Sequence, residues 1–217
     1  MARPGLACSR VGESRAAGAL HDHPPNFVGA NYLSHFLLTA QLLPLLRGVS
    51  QARVVNLSSG AHRIQAAIHF DDLQWERRYS PWQAYAQSKL AMLMFALELQ
   101  RRGDARGWGL ISDAAHPGYA RTGLQSQGPG LGRHSRSAAD RVIRLLEPLA
   151  SQSAAEGALP TVFAAAAPHA KSNGYYGPRD FFEMRGPVGE AVIGQRARDT
   201  AVAARLWELS EQLTGAR

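Results

Sequence analysis

Two segments decide how this chain folds: Arg53-Val54-Val55-Asn56-Leu57-Ser58-Ser59-Gly60 and Tyr85-Ala86-Gln87-Ser88-Lys89. The first is a short β-branched run that ends in hydroxyls and a glycine, which is typical of a strand followed by a turn. The second places a Tyr and a Lys four residues apart, so that both side chains lie on one face of a helix. A cation about 4 Å from a phenol, at an effective dielectric of about 20, favours the phenolate by about 4 kcal/mol. The pair therefore predicts a general acid/base, and a serine at the strand end could hold the substrate oxygen.

The composition favours a chemical role for Lys89. Of the 24 Lys and Arg residues in the chain, only Lys89 and Lys171 are lysines. A basic residue that is kept as Lys where Arg is usual suggests that a compact point charge is required. The alternative is an ordinary helix face, because short motifs also arise by chance.

These segments resemble the short-chain dehydrogenase/reductase family over about residue 26 to the C-terminus. Phe70-Asp71-Asp72-Leu73 and Ala84-Tyr85-Ala86-Gln87-Ser88-Lys89-Leu90-Ala91 resemble its retinol-dehydrogenase-like branch. The resemblance implies an NAD- or NADP-dependent oxidoreductase that transfers a hydride between the cofactor and a small-molecule alcohol or carbonyl substrate. It also implies four catalytic residues. Tyr85 would be the general acid/base, and Lys89 would lower the pKa of Tyr85 and bind the nicotinamide ribose. Ser59 would orient the substrate, with Ser58 as the alternative serine, and Asn31 would anchor a relay water.

A second predicted strand, at about Leu110 to Ala115, is followed by His116-Pro117-Gly118-Tyr119-Ala120-Arg121-Thr122. In open α/β sheets, ligands bind beyond the carboxyl ends of strands, where this segment and Ser59 both lie. A Pro-Gly pair alone is only a turn. The resemblance implies that the segment contacts the nicotinamide, through Pro117 and Gly118, with Ala120 and the Thr122 hydroxyl near its amide.

The remaining elements follow from periodicity and capping signals. Asn26 is a plausible N-cap for a helix with an apolar stripe, and Ser80-Pro81-Trp82-Gln83 predicts a capping box. The predicted elements are a helix from Asn26 to about Arg47 with the stripe Phe27, Ala30, Ser34, Leu38, Leu42 and Leu45; strand 53–57; a helix from Pro81 to Arg102 with Gly103 beyond it; strand 110–115; a basic helix at 142–149 after the glycine-rich stretch 128–132; a helix opened by the capping box Ser153–Glu156; a strand at 173–178; and a last helix from Asp199 to Leu213.

This order of elements predicts an α/β fold, the C-terminal part of a Rossmann-like doubly wound parallel sheet. The family carries a glycine-rich turn after its first strand and an Asn-Asn-Ala-Gly segment, and neither is found here. We therefore expect the N-terminal βαβ units to be missing. Residues 1–25 show no periodicity and predict an irregular tail, followed by one domain over residues 26–217. His21 and His23 lie in this tail, but no nearby ligands complete a metal site, so we expect no metal.

Composition narrows the classes of partner and compartment. The chain has 217 residues, 45% of them hydrophobic and 19% charged, and its single cysteine, Cys8, rules out an internal disulfide and indicates a cytoplasmic protein. No apolar run reaches the length of about 18 residues that a transmembrane helix needs. The formal net charge of +7 raises nucleic acid as a partner, but the arginines are scattered, so we predict no nucleic-acid binding.

The helix from Pro81 to Arg102 is apolar on more faces than one sheet can cover, and the helix from Phe27 to Arg47 is similar, which predicts a homodimer. The residues leave the substrate and the choice between NAD and NADP open. Two alternatives to an active oxidoreductase also remain open at this stage. One is a catalytically inactive relative that serves as an interaction module, and the other is a basic nucleic-acid-binding domain.

Overall fold

The structure is a computed structural model that describes residues 26–121 and 151–216. Its sheet has four strands in the order β1-β2-β3-β4. The strands are β1 (Arg53–Leu57), β2 (Ile111–Ala115), β3 (Tyr175–Asp180) and β4 (Arg185–Glu190). β1, β2 and β3 run parallel, whereas β4 forms an antiparallel hairpin with β3.

Helices cover both faces of this sheet. The α-helices are α1 (Ser34–Leu46), α2 (Pro81–Arg106), α3 (Ala154–Ala166) and α4 (Thr200–Thr214). α2 packs on β1 and β2 and is itself covered by α4, while α3 packs on the other face of the sheet, as the contacts of Arg53 and Ser112 show. Parallel strands joined by helical crossovers confirm the predicted α/β class and the Rossmann-like sheet.

The hairpin formed by β4 was not predicted, and its antiparallel direction departs from a purely parallel sheet. Gly186, Pro187 and Gly189 in its sequence have the composition of a loop. The local propensity of these residues does not favour a strand. The strand forms because β4 makes backbone hydrogen bonds to β3, so tertiary contacts decide the secondary structure of this segment.

The first predicted helix forms, but its buried face is different from the predicted stripe. Asn26 caps it, since its Oδ1 accepts a hydrogen bond of 2.7 Å from the Gly29 amide, and a π-helical turn over Gly29–Leu33 leads into α1. Tyr32 and Phe36 point into the core, where both contact the ring of Phe95. These aromatic rings bury more area than the predicted leucine stripe could and decide the inward face. The stripe residues Leu38, Leu42 and Leu45 are 55%, 43% and 71% exposed.

The helix α2 is longer than predicted, because it passes through Gly103 and ends at Arg106. Gly103 therefore lies inside the helix rather than at its cap, and a Cβ at this position would make only ordinary contacts with Trp108 and Leu110. The left-handed cap is Gly107, with φ of +63°. The predicted capping box is wrong, since the Ser80 side chain makes no capping hydrogen bond.

Two other helix starts match their sequence signals. Ser153 and Glu156 form the predicted capping box, with the Glu156 carboxylate 2.7 Å from the Ser153 amide nitrogen. Asp199 caps α4 by accepting a hydrogen bond of 3.0 Å from the Val202 amide, and Gly215 ends that helix with φ of +69°.

Several predictions fall outside the described residues: the tail 1–25, the glycine-rich stretch 128–132 and the helix 142–149. The division into a tail and one domain therefore stays a prediction. Within residues 26–121 and 151–216, none of the helices is long and apolar enough to cross a membrane.

Candidate functional site

The predicted site residues meet at the carboxyl edge of the parallel strands. Ser58 and Ser59 directly follow β1, and Pro117 lies two residues after Ala115, the last residue of β2. α2 crosses above this edge and carries Tyr85. This is the edge at which open α/β sheets bind ligands.

Tyr85 and Lys89 lie next to each other, as their spacing predicts. The Lys89 Nζ lies 5.7 Å from the centre of the Tyr85 ring and donates a hydrogen bond of 3.3 Å to the Leu57 carbonyl. An ammonium has three donors, so within residues 26–121 and 151–216 this bond leaves two more for a ligand. Burial lowers the pKa of Lys89 from its ordinary value.

Burial also raises the pKa of Tyr85, and a hydrogen bond with the Ser59 side chain opposes that rise. Desolvation is the larger of the two effects, so the neutral phenol is favoured in the absence of a ligand. The predicted lowering of this pKa by Lys89 is therefore not the dominant effect in this geometry. Ser59, the residue predicted to orient the substrate oxygen, is the side chain that acts to lower the pKa of this phenol.

The structure separates the two serines that the sequence left as alternatives. Ser58 is buried, and its hydroxyl donates a hydrogen bond of 2.8 Å to the Lys89 carbonyl, which ties the end of β1 to α2. Ser59 is half-buried and lies beside the Tyr85 phenol. The hydroxyl of Ser58 is therefore engaged in the fold, whereas Ser59 lies where a substrate oxygen could reach it.

Asn31 lies in the π-helical turn and reaches the same stretch of α2. Its Nδ2 donates a hydrogen bond of 3.3 Å to the Ser88 hydroxyl, which in turn donates one of 2.7 Å to the Tyr85 carbonyl. π-helical turns occur frequently at functional sites, because the extra residue re-aims a side chain. The structure thus brings Asn31 to within one helical turn of Tyr85 and Lys89.

The segment after β2 has a tightly fixed backbone. Gly118 has φ of +60°, and a Cβ at this position would collide with the Met184 carbonyl, so only glycine fits. Gln152 donates a hydrogen bond of 2.8 Å to the Pro117 carbonyl and pairs through its backbone with the region around Ala120. Thr122, also predicted to contact the nicotinamide, lies outside the described residues.

Two buried histidines that sequence reasoning did not single out hold this edge together. The His62 Nδ1 lies 2.7 Å from the Ser59 carbonyl, and the His62 Nε2 accepts a hydrogen bond of 3.0 Å from the Gly194 amide. The His116 Nδ1 accepts one of 3.2 Å from the Gly118 amide. Burial lowers the pKa of His116 to about 4, so this imidazole is neutral at pH 7. Each histidine follows a parallel strand, at the edge of the sheet where ligands bind, and this position is the sequence signal that could have found it.

The described residues fit one end of a nicotinamide cofactor. Lys89 and Tyr85 offer donors that suit a ribose, and the backbone at Pro117–Ala120 presents a rigid surface beside them. No glycine-rich turn at a helix N-terminus lies within residues 26–121 and 151–216 to receive a pyrophosphate. The fit is thus to the nicotinamide end of the cofactor.

Known proteins resemble this chain over most of its length. It is 40% identical over 193 residues to a mouse polyprenol dehydrogenase, which covers 87% of this chain and 53% of that protein. It is 39% identical over 189 residues to human retinol dehydrogenase 13, covering 86% and 53%. It is 38% identical over 205 residues to human retinol dehydrogenase 12, covering 94% and 57%. The chain therefore spans about half the length of the curated relatives it matches.

The same fold occurs in the crystal structure of an uncharacterized protein from Mycobacterium paratuberculosis. The two chains are 39% identical with a TM-score of 0.65, and the match covers 88% of this chain and 59% of the other. No family model matches the chain.

Proposed function

Since this chain is related to retinol dehydrogenases of the short-chain dehydrogenase/reductase family, as its sequence predicted, we propose that it carries the catalytic residues of an NAD- or NADP-dependent oxidoreductase. The observation that supports this proposal most strongly is the meeting of three side chains at one strand edge. The Ser59 side chain lies near enough to the Tyr85 phenol to lower its pKa against the effect of burial, and the Lys89 Nζ lies 5.7 Å from the centre of the same ring. That arrangement suits proton exchange with an alcohol or carbonyl oxygen.

The protein residues divide the work on the substrate oxygen. Tyr85 gives its phenolic proton to a carbonyl oxygen during reduction, and takes a proton from the hydroxyl during oxidation. Ser59 donates a hydrogen bond to the same oxygen and so aligns it with the phenol. The nicotinamide, when bound, supplies or accepts the hydride at the carbon. Because burial raises the pKa of Tyr85, the site is prepared for the donor role, and the approach of a positive charge would be needed for the acceptor role.

The other predicted residues keep their proposed roles. Lys89 binds the nicotinamide ribose with its remaining donors, and Asn31 anchors a water beside Ser88 that passes the proton onward. Pro117, Gly118, Ala120 and Thr122 contact the nicotinamide. NAD and NADP both suit these contacts. The names of the relatives, polyprenol and retinol dehydrogenase, favour an apolar alcohol or its carbonyl product as the substrate.

A homodimer and a cytoplasmic location also stay proposals. The argument for the dimer changes, because Met94 and its neighbours on α2 are buried against helices of the same chain. Among the apolar side chains that remain exposed in the described residues, Leu38, Leu42 and Leu45 form a stripe on α1. A second copy that packs on this stripe would shield it from water.

The proposal is tested by titrating the chain with NADH and NADPH while following nicotinamide fluorescence, and then assaying reduction of retinal. We expect weak but measurable binding, and turnover that Tyr85→Phe abolishes. Tyr176→Phe is the matched control, because that phenol is hydrogen-bonded to the Lys171 amide on the far side of β3. An inactive interaction module, the alternative, would bind neither nucleotide.

A further inference from the structure

A cluster of polar side chains, buried at two imidazoles and a phenol but open to water at Arg63, lies beside the candidate site and has no part in the mechanism above. Its members are Arg63, His62, His116, Tyr175 and Glu183. The Tyr175 ring lies between the two imidazoles, with ring centres 5.4 Å from His62 and 5.1 Å from His116. The two imidazoles hold the backbone at Ser59 and Gly118, so the cluster is joined to both sides of the site.

Glu183 supplies the negative charge of this cluster. Its Oε2 lies 2.8 Å from the Arg63 Nη2 and 3.7 Å from the His116 Nε2. Its Oε1 accepts a hydrogen bond of 2.7 Å from the Val192 amide. One carboxylate thus pairs with the turn after β1 and accepts a hydrogen bond from the chain after β4, and it lies beside His116 at the end of β2 without a hydrogen bond to it.

An unfavourable backbone turn holds Glu183 in this position. Phe181, Phe182 and Glu183 have φ of +50°, +57° and +65°, three consecutive left-handed residues without a glycine. Left-handed backbone is costly for residues that have a Cβ, and such strain persists where the surroundings enforce it, often at functional sites. Phe182 is 91% exposed, so burial of its own side chain does not offset the strain.

The same turn also supports the segment after β2. The Met184 carbonyl accepts a hydrogen bond of 2.7 Å from the Tyr119 amide, and it blocks any side chain at Gly118. The strained turn therefore contacts the segment after β2 through Met184. It contacts the turn after β1, which begins at Ser59, through the pair of Glu183 with Arg63.

We propose that Glu183 is a positioning residue for the reaction: its carboxylate, turned inward by the strained hairpin, fixes the Ser59 turn and the Pro117–Gly118 segment relative to each other. This inference rests on the proposed function. Without the carboxylate, the Arg63 guanidinium would be left without its partner beside two neutral imidazoles, and it would move toward water. Arg63 follows His62 directly, so that movement would carry the Ser59 turn with it.

The test compares Glu183→Gln with Glu190→Gln. Glu190 lies in the same hairpin, but its ion pair with Lys171, at 2.7 Å, is exposed. We expect Glu183→Gln to fold and to lower kcat about tenfold or more, with KM changed less than about twofold, because a misplacement of about 1 Å can cost about a hundredfold in rate. The backbone amide signals of Ala61 and Gly118 in nuclear magnetic resonance spectra should shift in Glu183→Gln. They should stay unchanged in Glu190→Gln.

A second variant, Phe182→Gly, relaxes the turn without removing a buried side chain. We expect it to lower kcat, because glycine lets the turn adopt other backbone conformations in which the Glu183 carboxylate no longer faces Arg63. If Glu183→Gln does not fold, Phe182→Gly decides the question alone, and a kcat equal to that of the parent would overturn the inference.

The outcomes separate the inference from the proposed function. If Tyr85→Phe is inactive while Glu183→Gln keeps the parent kcat and amide signals, the inference is wrong and the proposed function survives. If Tyr85→Phe is as active as the parent, or the parent has no turnover, the proposed function fails. The amide signals of Ala61 and Gly118 then still decide whether Glu183 fixes the two segments.

Discussion

Asp113 gives a prediction whose magnitude follows from the structure. It lies in the middle of β2, fully buried, and neither carboxylate oxygen has a hydrogen-bond partner among the described residues. The nearest cation is the Arg53 Nη1 at 3.7 Å, and that guanidinium also donates a hydrogen bond of 3.0 Å to the Ala164 carbonyl. Burial therefore raises the pKa of Asp113 from 3.8 to about 7, although Arg53 acts to lower it.

The sign of the effect on stability follows from where the proton binds. Between pH 4 and pH 7 the folded chain holds a proton on Asp113 that the unfolded chain has lost, so the free energy of unfolding falls as the pH rises. Each pH unit over which the folded and unfolded chains differ by one proton is worth about 1.4 kcal/mol. Between pH 5 and pH 8 this difference extends over about two pH units, from pH 5 to pH 7. Asp113→Asn removes the titration, so its stability relative to the parent should rise by about 3 kcal/mol from pH 5 to pH 8.

His116 acts in the opposite direction over part of the same range. Burial lowers its pKa from 6.5 to about 4, so the stability that it contributes is present above pH 6.5 and is lost as the pH falls. The parent profile alone would therefore be nearly flat in this range. The difference between the parent and Asp113→Asn isolates the carboxyl, because His116 is the same in both.

Urea unfolding at pH 5 and pH 8, followed by tryptophan fluorescence, measures this difference. The matched control is Asp71→Asn, which neutralises an exposed carboxylate. The reasoning is refuted if the stability difference between Asp113→Asn and the parent is the same at both pH values. A similar pH dependence in Asp71→Asn would refute it equally.

Three further predictions concern the site itself. Lys89→Arg should lower kcat about tenfold or more in a retinal reduction assay, since a guanidinium fork cannot replace the ammonium, and activity near that of the parent would contradict this. Ser58→Ala should lower the free energy of unfolding by about 1 kcal/mol in urea titrations, because the hydrogen bond to the Lys89 carbonyl is lost. Ser59→Ala should instead lower kcat. The reverse pattern would show that the two serines have exchanged roles. Gly118→Ala should destabilise the chain by about 2 kcal/mol or more, because of its left-handed backbone and the Met184 carbonyl, and an unchanged melting temperature would count against the tight turn.

The parts of the fold that rest on local signals were predictable. The β-branched run before Ser58 forms the predicted strand, and the capping box at Ser153 opens the predicted helix. The inward face of α1 could not be predicted, because helical spacing shows that a face is apolar but not which of two apolar faces packs inward. That choice depends on contacts of Phe36 with Phe95 and with Trp207 of α4, far away in sequence.

The site residues also divide into those that local sequence signals predict and those that depend on the assembled fold. Tyr85 and Lys89 are recognisable from four-residue spacing, which a helix turns directly into proximity. Glu183 carries no such signal, because it reaches His116 only after β3 and β4 have formed a hairpin that the sequence does not favour. The pKa of Tyr85 could not be predicted either, since the burial that raises it is a property of the assembled fold.

The central claim is that Tyr85, supported by Ser59 and Lys89, exchanges a proton with an alcohol or carbonyl substrate in a nicotinamide-dependent reaction. We expect the chain as given to bind NAD(P) no more tightly than about 1 mM, or about −4 kcal/mol, so the measurement uses cofactor well above that level. It follows the reduction of retinal by NADH or NADPH, in the parent and in Tyr85→Phe. The account predicts retinol formation by the parent and a rate lower by about a hundredfold or more in the variant. A variant that retains more than about a tenth of the parent rate, or a parent that forms no retinol, would contradict it.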